Sequence, residues 1–398
     1  MRNVLGVAVL KVLAIGLQLL LAVRIFATVP FVIVPFVIAP FVIAHAQSAP
    51  SYVSRPKRLA AIVESGDSIS SQSVAWIAPR SDHGFYAYDR RSARIERFDE
   101  HGAFVRFIGK TGTGNGAYGE LLGGAVVNDS LLTVWDPQNQ RVIVFHESGG
   151  FQRNVRVPME SRGYASRAAF TQFVVDNEGA YYFRIQNAMG SNQYSWLRTK
   201  SDGTVLDSTS FTTSQHSAQY TSDGMRISFV PDIIRTPWQA GGMLVADPAA
   251  YHIEAVGVTA SPLKIDRAHT PVPILAGEHD QWIAFLNRDN GRLSEATLDS
   301  AVPKFKTAFR NVLSDRSGNI WVELNSAAHA DSTAYGALDR LKSVWRDVTR
   351  YDVFAPDGSW KYQVELPRQT YVIAVDGNRL WLHETDAKGK SVVAIYTL

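Results

Sequence analysis

The sequence contains no cysteine. That absence removes disulfides, thiolate metal sites, a cysteine nucleophile and a lipid-modified N-terminal cysteine. Charge is scarce at 19% of residues, and the Glu and Lys that coat helix surfaces are few. No H-E-x-x-H and no G-x-S-x-G occurs, so two hydrolase signatures are missing. The abundant residues point elsewhere. Aromatics make up 11%, with 9 Trp and 29 Gly among 398 residues. Strand formers and turn formers dominate, and an all-β chain is expected.

Residues 1–47 differ from the rest. Arg2 precedes an apolar run over 4–23, and PFVIVPFVIAPFVIA follows with Pro30, Pro35 and Pro40. The segment ends in Ala44-His45-Ala46, a small-x-small pattern suited to signal-peptidase cleavage. Residues 1–47 are read as an export signal, and 48–398 as the mature domain, periplasmic or extracellular. The alternative is an uncleaved anchor over 4–23, since about 20 apolar residues span a bilayer. The segment carries three of the 40 basic residues and none of the 37 acidic ones. The remainder is therefore charge-balanced, with no field for nucleic acid. Membrane contact is expected only if the segment stays attached.

A repeat organises the mature chain. YDRRSARIERFDEHGAF (88–104) aligns with WDPQNQRVIVFHESGGF (135–151) at a constant offset of 47. Tyr88-Asp89 matches Trp135-Asp136, Arg94 matches Arg141, and Phe98 matches Phe145. Weaker copies follow, each with strands around an Asp-led or DxxG turn. Four-stranded units at this spacing predict a β-propeller. Six blades are expected near 72–109, 121–158, 169–211, 224–266, 305–366, and 370–398 completed by 55–63. Strands from both chain ends would close the ring and remove its open edges. Insertions at 267–304 and 325–348 break the rhythm. Trp282, Phe285 and Leu286 predict a helix in the first. Leu338, Leu341, Val344 and Trp345 predict one in the second.

FDEHGAFVRFIGKTGTGNGAYGELLGG and LLTVWDPQNQRVIVFHESGGF resemble the NHL-type six-bladed β-propellers, especially an exported bacterial group. VLSDRSGNIWVEL and YDVFAPDGSW fit the same group. Tyr118-Gly119-Glu120 departs from the family's Gly-Glu-Phe, and its aromatic position falls on Leu121. The resemblance implies the fold and export, and no agreed activity. Resembling lyases and lactonases collect metal ligands at the axis. An axial Ca or Zn therefore stays open, with His83, His252, His279 and His383 as conceivable contributors, although each is a single scattered histidine.

GKTGTGNGAYGE (109–120) contains GKT and a G-x-G-x-x-G spacing. A phosphate cradle needs a strand-to-helix turn, and here a strand follows, so the glycines mark a blade boundary instead. Asp89, Asp136 and Asp247 are read as turn-opening residues, with Arg94 and Arg141 as partners within blades. Trp238, Trp282 and Trp345, in loops or insertions, are the candidates for a binding rim. The leading functional reading is a non-enzymatic binding or scaffold propeller for a protein, peptide or glycan. The alternatives are a metal-dependent hydrolase or lyase of the lactonase type, and a membrane-anchored envelope sensor.

Overall fold

The computed structural model describes residues 53–62, 73–157, 169–188, 191–213, 232–257, 262–290, 303–331, 344–385 and 391–398. The 1–47 segment, with its cleavage site and anchor alternative, lies outside them. So do Leu338 and Leu341. No helix among the described residues is long and apolar enough to cross a membrane.

Within the compact unit from Ala44 to Leu398, the described residues form six blades of four antiparallel strands, one of them extended by a fifth, parallel strand, and three two-stranded sheets besides. Blade 1 spans 74–108, blade 2 spans 123–156, blade 3 spans 169–212 and blade 4 spans 234–266. Blade 5 takes strands from 309–324 and 350–365. Blade 6 spans 371–397, and Lys57–Ala61 forms its outermost strand, antiparallel to Ser391–Thr397. The closure expected from the sequence is present. One element goes beyond it: Val53–Ser54 lies parallel to the outer strand of blade 5, with Arg55 paired to Glu365 at 3.0 Å. The chain start thus straps blade 5 before completing blade 6.

Each blade buries both faces against its neighbours, so its middle strands are largely apolar. Phe85–Asp89 and Leu131–Asp136 are buried almost residue for residue. Trp135, Trp321 and Trp381 are fully buried between blades. A buried Trp removes roughly 200 Å² from water, worth about 5 kcal/mol before ordering costs.

The GKTGTGNGAYGE segment is the crossing from blade 1 to blade 2. Lys110–Thr111 runs parallel to Ala117–Tyr118, which folds the segment back on itself. Gly109 has φ 63°, and a Cβ there would lie 2.7 Å from the Gly116 carbonyl oxygen. Only glycine fits. The fold-back drives Tyr118 into the seam, where its hydroxyl donates to the Ile108 carbonyl at 2.8 Å and accepts from the Ile95 amide at 3.0 Å. Burial pushes its pKa up to about 12. Lys110 and Thr111 are exposed.

Helix α1 (Ala276–Asn290) confirms the first insertion helix and includes Trp282, Phe285 and Leu286. The second expectation needs correction. Val344 and Trp345 lie in a strand, Val344–Asp347, paired with Ala328–Asp331. Cross-strand pairing, invisible to a local periodicity count, sets their conformation.

Candidate functional site

Chain direction assigns every connection to a face. The first strand of each blade runs towards the turn that joins it to the second, so those turns share one face. The blade-to-blade crossings and the turns between second and third strands share the other. Both insertions are of the second kind: 267–308 joins blades 4 and 5, and 325–349 joins the middle strands of blade 5. The propeller therefore has a turn face and an insertion face.

On the turn face the axis is bridged by one side chain. The DRSGN turn of blade 5 is built by Asp315, whose carboxylate accepts from the Asn319 amide at 3.0 Å, the Asn319 side chain at 2.8 Å and the Trp321 indole at 3.1 Å. Arg316, the second residue of that turn, pairs with Asp129 of blade 2. Blades 5 and 2 are opposite members of a ring of six, so this pair spans the axis. Arg316 also donates to the Pro79 carbonyl of blade 1 at 3.4 Å and lies 3.9 Å from Asp376 of blade 6. Asn177, at the same position of blade 3's DNEG turn, donates to the Arg316 carbonyl at 2.7 Å. One arginine ties together turns from five blades.

The electrostatics of the two acids diverge. Burial pushes Asp376 up to about 6; Arg316 opposes the shift and the neighbouring Asp315 carboxylate adds to it. Asp129 experiences a burial penalty as well, yet its bonds to Arg316 and Ser81 hold it below the usual carboxylate range. Two carboxyls that share one arginine thus have pKa values shifted in opposite directions. The sequence reading missed Asp129, Arg316 and Asp376. The signal for Arg316 was the second position of a DxxG turn, which Asn177 shares; Asp129 and Asp376, in the Asn-Asp-Ser and Asp-Gly-Asn turns, carry no such mark.

On the insertion face, Lys306 is fully buried. Its ammonium contacts Glu278 of α1 at 2.5 Å, Asp347 of the inserted hairpin at 2.6 Å and the Ser326 carbonyl at 2.8 Å. Asp347 also takes Arg310 of blade 5's inner strand at 3.2 Å, and Arg310 bonds Glu323 at 2.7 Å. Gln281 of α1 accepts from the Trp345 amide at 2.7 Å. The Trp345 indole lies directly on Gly277, where a Cβ would collide with it. Both insertions are thereby fixed to blade 5 as one body.

The predicted rim tryptophans do not form an open rim. Trp238 is buried, with its indole N–H donating to the Gly318 carbonyl at 2.9 Å. Trp282 is buried under α1. Trp345 is half-buried and holds the hairpin to the helix. Being in a loop or an insertion did not imply exposure: Trp238 joins the core between blades 4 and 5, and Trp282 and Trp345 face the contacts between α1 and the hairpin. The histidines do not converge either. His83 is exposed on a turn, His252 bonds Asp266 at 2.6 Å, and His279 is on α1. His383 stacks on Tyr371 at 4.3 Å, and burial lowers its pKa. No group of three His, Asp or Glu among the described residues is arranged to hold a metal.

The turn aspartates behave as read. Asp89 accepts from the Arg91 and Ser92 amides, and Asp247 from Ala249. Asp136 binds Asn139 and pairs with Arg141 at 3.4 Å. Arg94 departs from the expected pairing: among the described residues it forms no ion pair with Asp89 and lies over the Phe107 ring at 4.7 Å.

No family model matches the chain, and no curated protein does. Among solved structures it is similar to a member of the DUF4221 family from Bacteroides vulgatus, at 10% identity and a TM-score of 0.50, over 88% of this chain and 99% of that one. It is also similar to a protein of Bacteroides fragilis that bears the name of an exported protein, at 14% identity and a TM-score of 0.47, over 89% and 98% of the two chains. A gluconolactonase of Xanthomonas campestris is similar at 12% identity and a TM-score of 0.40, over 89% and 98%. The likeness to the Bacteroides vulgatus protein is one of fold, and together with the sheet order it makes this chain a six-bladed β-propeller.

Proposed function

We infer that this propeller is an exported binding module that presents its insertion face to a protein, peptide or glycan. The observation that carries the reading is the buried charge network around Lys306. Removing five charged groups from water is expensive unless their geometry is fixed. Here that fixed geometry holds α1 and the hairpin in one arrangement above blade 5. A surface ordered before contact loses less entropy on binding. Export is read from residues 1–47. The test is capture on glycan and peptide arrays by the wild-type chain, and by a variant in which a short Gly-Ser turn replaces the hairpin between residues 327 and 348. Capture that disappears in the variant, with thermal unfolding of the blades retained, supports the reading. Equal capture by both proteins contradicts it.

A hydrolase or lyase is the second reading, favoured by Asp376 beside Arg316 at the axis. A carboxyl with a pKa of about 6 is suited to general acid–base work near neutral pH. Turnover of a lactone panel that rises through pH 6 and is lost in Asp376→Asn would favour it over the binding reading. An axial Ca or Zn belongs to this reading, and metal analysis of the purified chain addresses it.

A further inference from the structure

We propose that the insertion-face end of the seam between blades 3 and 4 binds a small monoanionic carboxylate through Arg184 and Arg235. The proposal rests on the binding reading above and adds the charge and chemistry of one ligand group. Arg184 is in the second strand of blade 3, Tyr194 begins the third, Phe211 ends the fourth, and Arg235 begins the first strand of blade 4. Those strand ends all lie on the insertion face.

Tyr194 and Phe211 stack at 6.0 Å. The Arg184 guanidinium lies over Tyr194 at 4.4 Å and over Phe211 at 5.7 Å. The Arg235 guanidinium lies over the same Phe211 ring at 5.3 Å. Two cations thus share one aromatic platform. Arg184 is half-buried, its Nε is sealed from solvent without an acceptor, and it forms no ion pair among the described residues. Arg235 donates only to the Ile233 carbonyl, at 3.4 Å. Burial lowers the pKa of Arg184, and the acid whose field opposes that shift is Asp232.

Arginines placed together with no directly bonded carboxylate among the described residues are suited to receive an anion, because like charges repel and a desolvated guanidinium needs acceptors. Four other arginines supply a contrast, although Arg94 too is held by a ring. Arg80, Arg310, Arg316 and Arg350 each pair directly with an acid. Among the described residues this seam end holds two arginines and one nearby aspartate, Asp232, and that balance of one positive charge matches a single carboxylate better than a dianion. The planar fork of Arg184 fits both carboxylate oxygens at once. The aromatic pair fixes the guanidinium planes in advance, so little side-chain entropy is lost on binding.

The experiment is isothermal titration of the full chain with acetate, lactate and galacturonate, with galactose and inorganic sulfate as controls. At least one carboxylate is expected to bind saturably, and galactose is not. Arg184→Met should weaken binding about tenfold or more, the scale of one lost charge-assisted bond. Arg184→Lys, which keeps the charge and loses the fork, should weaken it as well. Arg235→Met provides an independent second variant should Arg184→Met fold poorly. The proposal fails if no carboxylate binds saturably, if sulfate binds more tightly than every carboxylate, or if binding survives substitution of both arginines. Array capture through the inserted hairpin is read separately, so either reading can fail alone.

Discussion

The seams between blades 1 and 2 and between blades 3 and 4 are joined by different means. The first is filled with aromatic and branched apolar side chains, including Trp76, Tyr88, Tyr118 and Phe145. Tyr118 and Tyr88 meet edge-on at 6.4 Å, as do Tyr118 and Phe145. The second has a smaller apolar cluster among the described residues, Ala180, Tyr182 and Trp196 with Val174, Phe211 and Met243 against it. Beyond them it carries Arg184 and Arg235 on the Tyr194–Phe211 platform. A ring needs every seam for closure, yet it does not need them to be equally apolar. The rich seam serves stability, and the lean one leaves cations near the surface that carries the insertions.

The sharpest way to break this contrast is to empty the rich seam. Tyr118→Ala should cost about 3–5 kcal/mol, as for other buried aromatics cut to alanine, read by chemical denaturation. A loss under 1 kcal/mol would mean the seams are energetically alike. Tyr118→Phe keeps the ring and strands the Ile95 amide and Ile108 carbonyl, at about 1–3 kcal/mol. The two substitutions separate apolar filling from the hydrogen bonds of the fold-back.

The turn face offers a pH-dependent comparison. Asp376 titrates near 6 in the folded chain against an ordinary 3.8. Its folded pKa is raised, so the native state holds the proton more tightly than the unfolded state across that window. Its contribution to stability is therefore greatest below pH 3.8 and falls as pH rises through 6. Asp376→Asn should flatten this part of the stability–pH profile and raise Tm at pH 7 relative to wild type. An unchanged slope between pH 4 and 6 would show that Arg316 compensates the carboxylate fully.

The smallest effect is expected in the lean seam. Arg184→Met should change stability by no more than about 1 kcal/mol in either direction, because it removes a desolvated cation that has no acid partner among the described residues. A loss comparable to Tyr118→Ala would show that the arginine–aromatic stack is structural, and would weaken the case for a ligand there.

The sequence and the structure agree where information is local. The 47-residue offset between Asp89 and Asp136, the DxxG turns and the strands around them gave all six blades, because turn chemistry and strand alternation are read within a few residues. Helix α1 was legible for the same reason. Relations that exist only after ring closure were not. Val53 meets Gln363 and Arg316 meets Asp129 across the axis, and neither pairing has a local signature. Lys306 and Asp347 are a further case, since each is an ordinary charged residue until both insertions fold onto blade 5. Trp238, Trp282 and Trp345 were misplaced for a related reason. Their positions in loops and insertions suggested a rim, but Trp238 packs into blade 5's turn, Trp282 is buried on α1 and Trp345 is pinned to α1.

The central claim is that the insertion face, fixed through Lys306, is the binding surface and the Arg316-bridged turn face is not. The most direct test is a hydrogen-exchange footprint of the full chain with and without a ligand captured on the arrays. The account predicts added protection over 272–290, 303–308, 325–331 and 344–349. Protection confined to the turns carrying Asp129, Arg316 and Asp376 would contradict it.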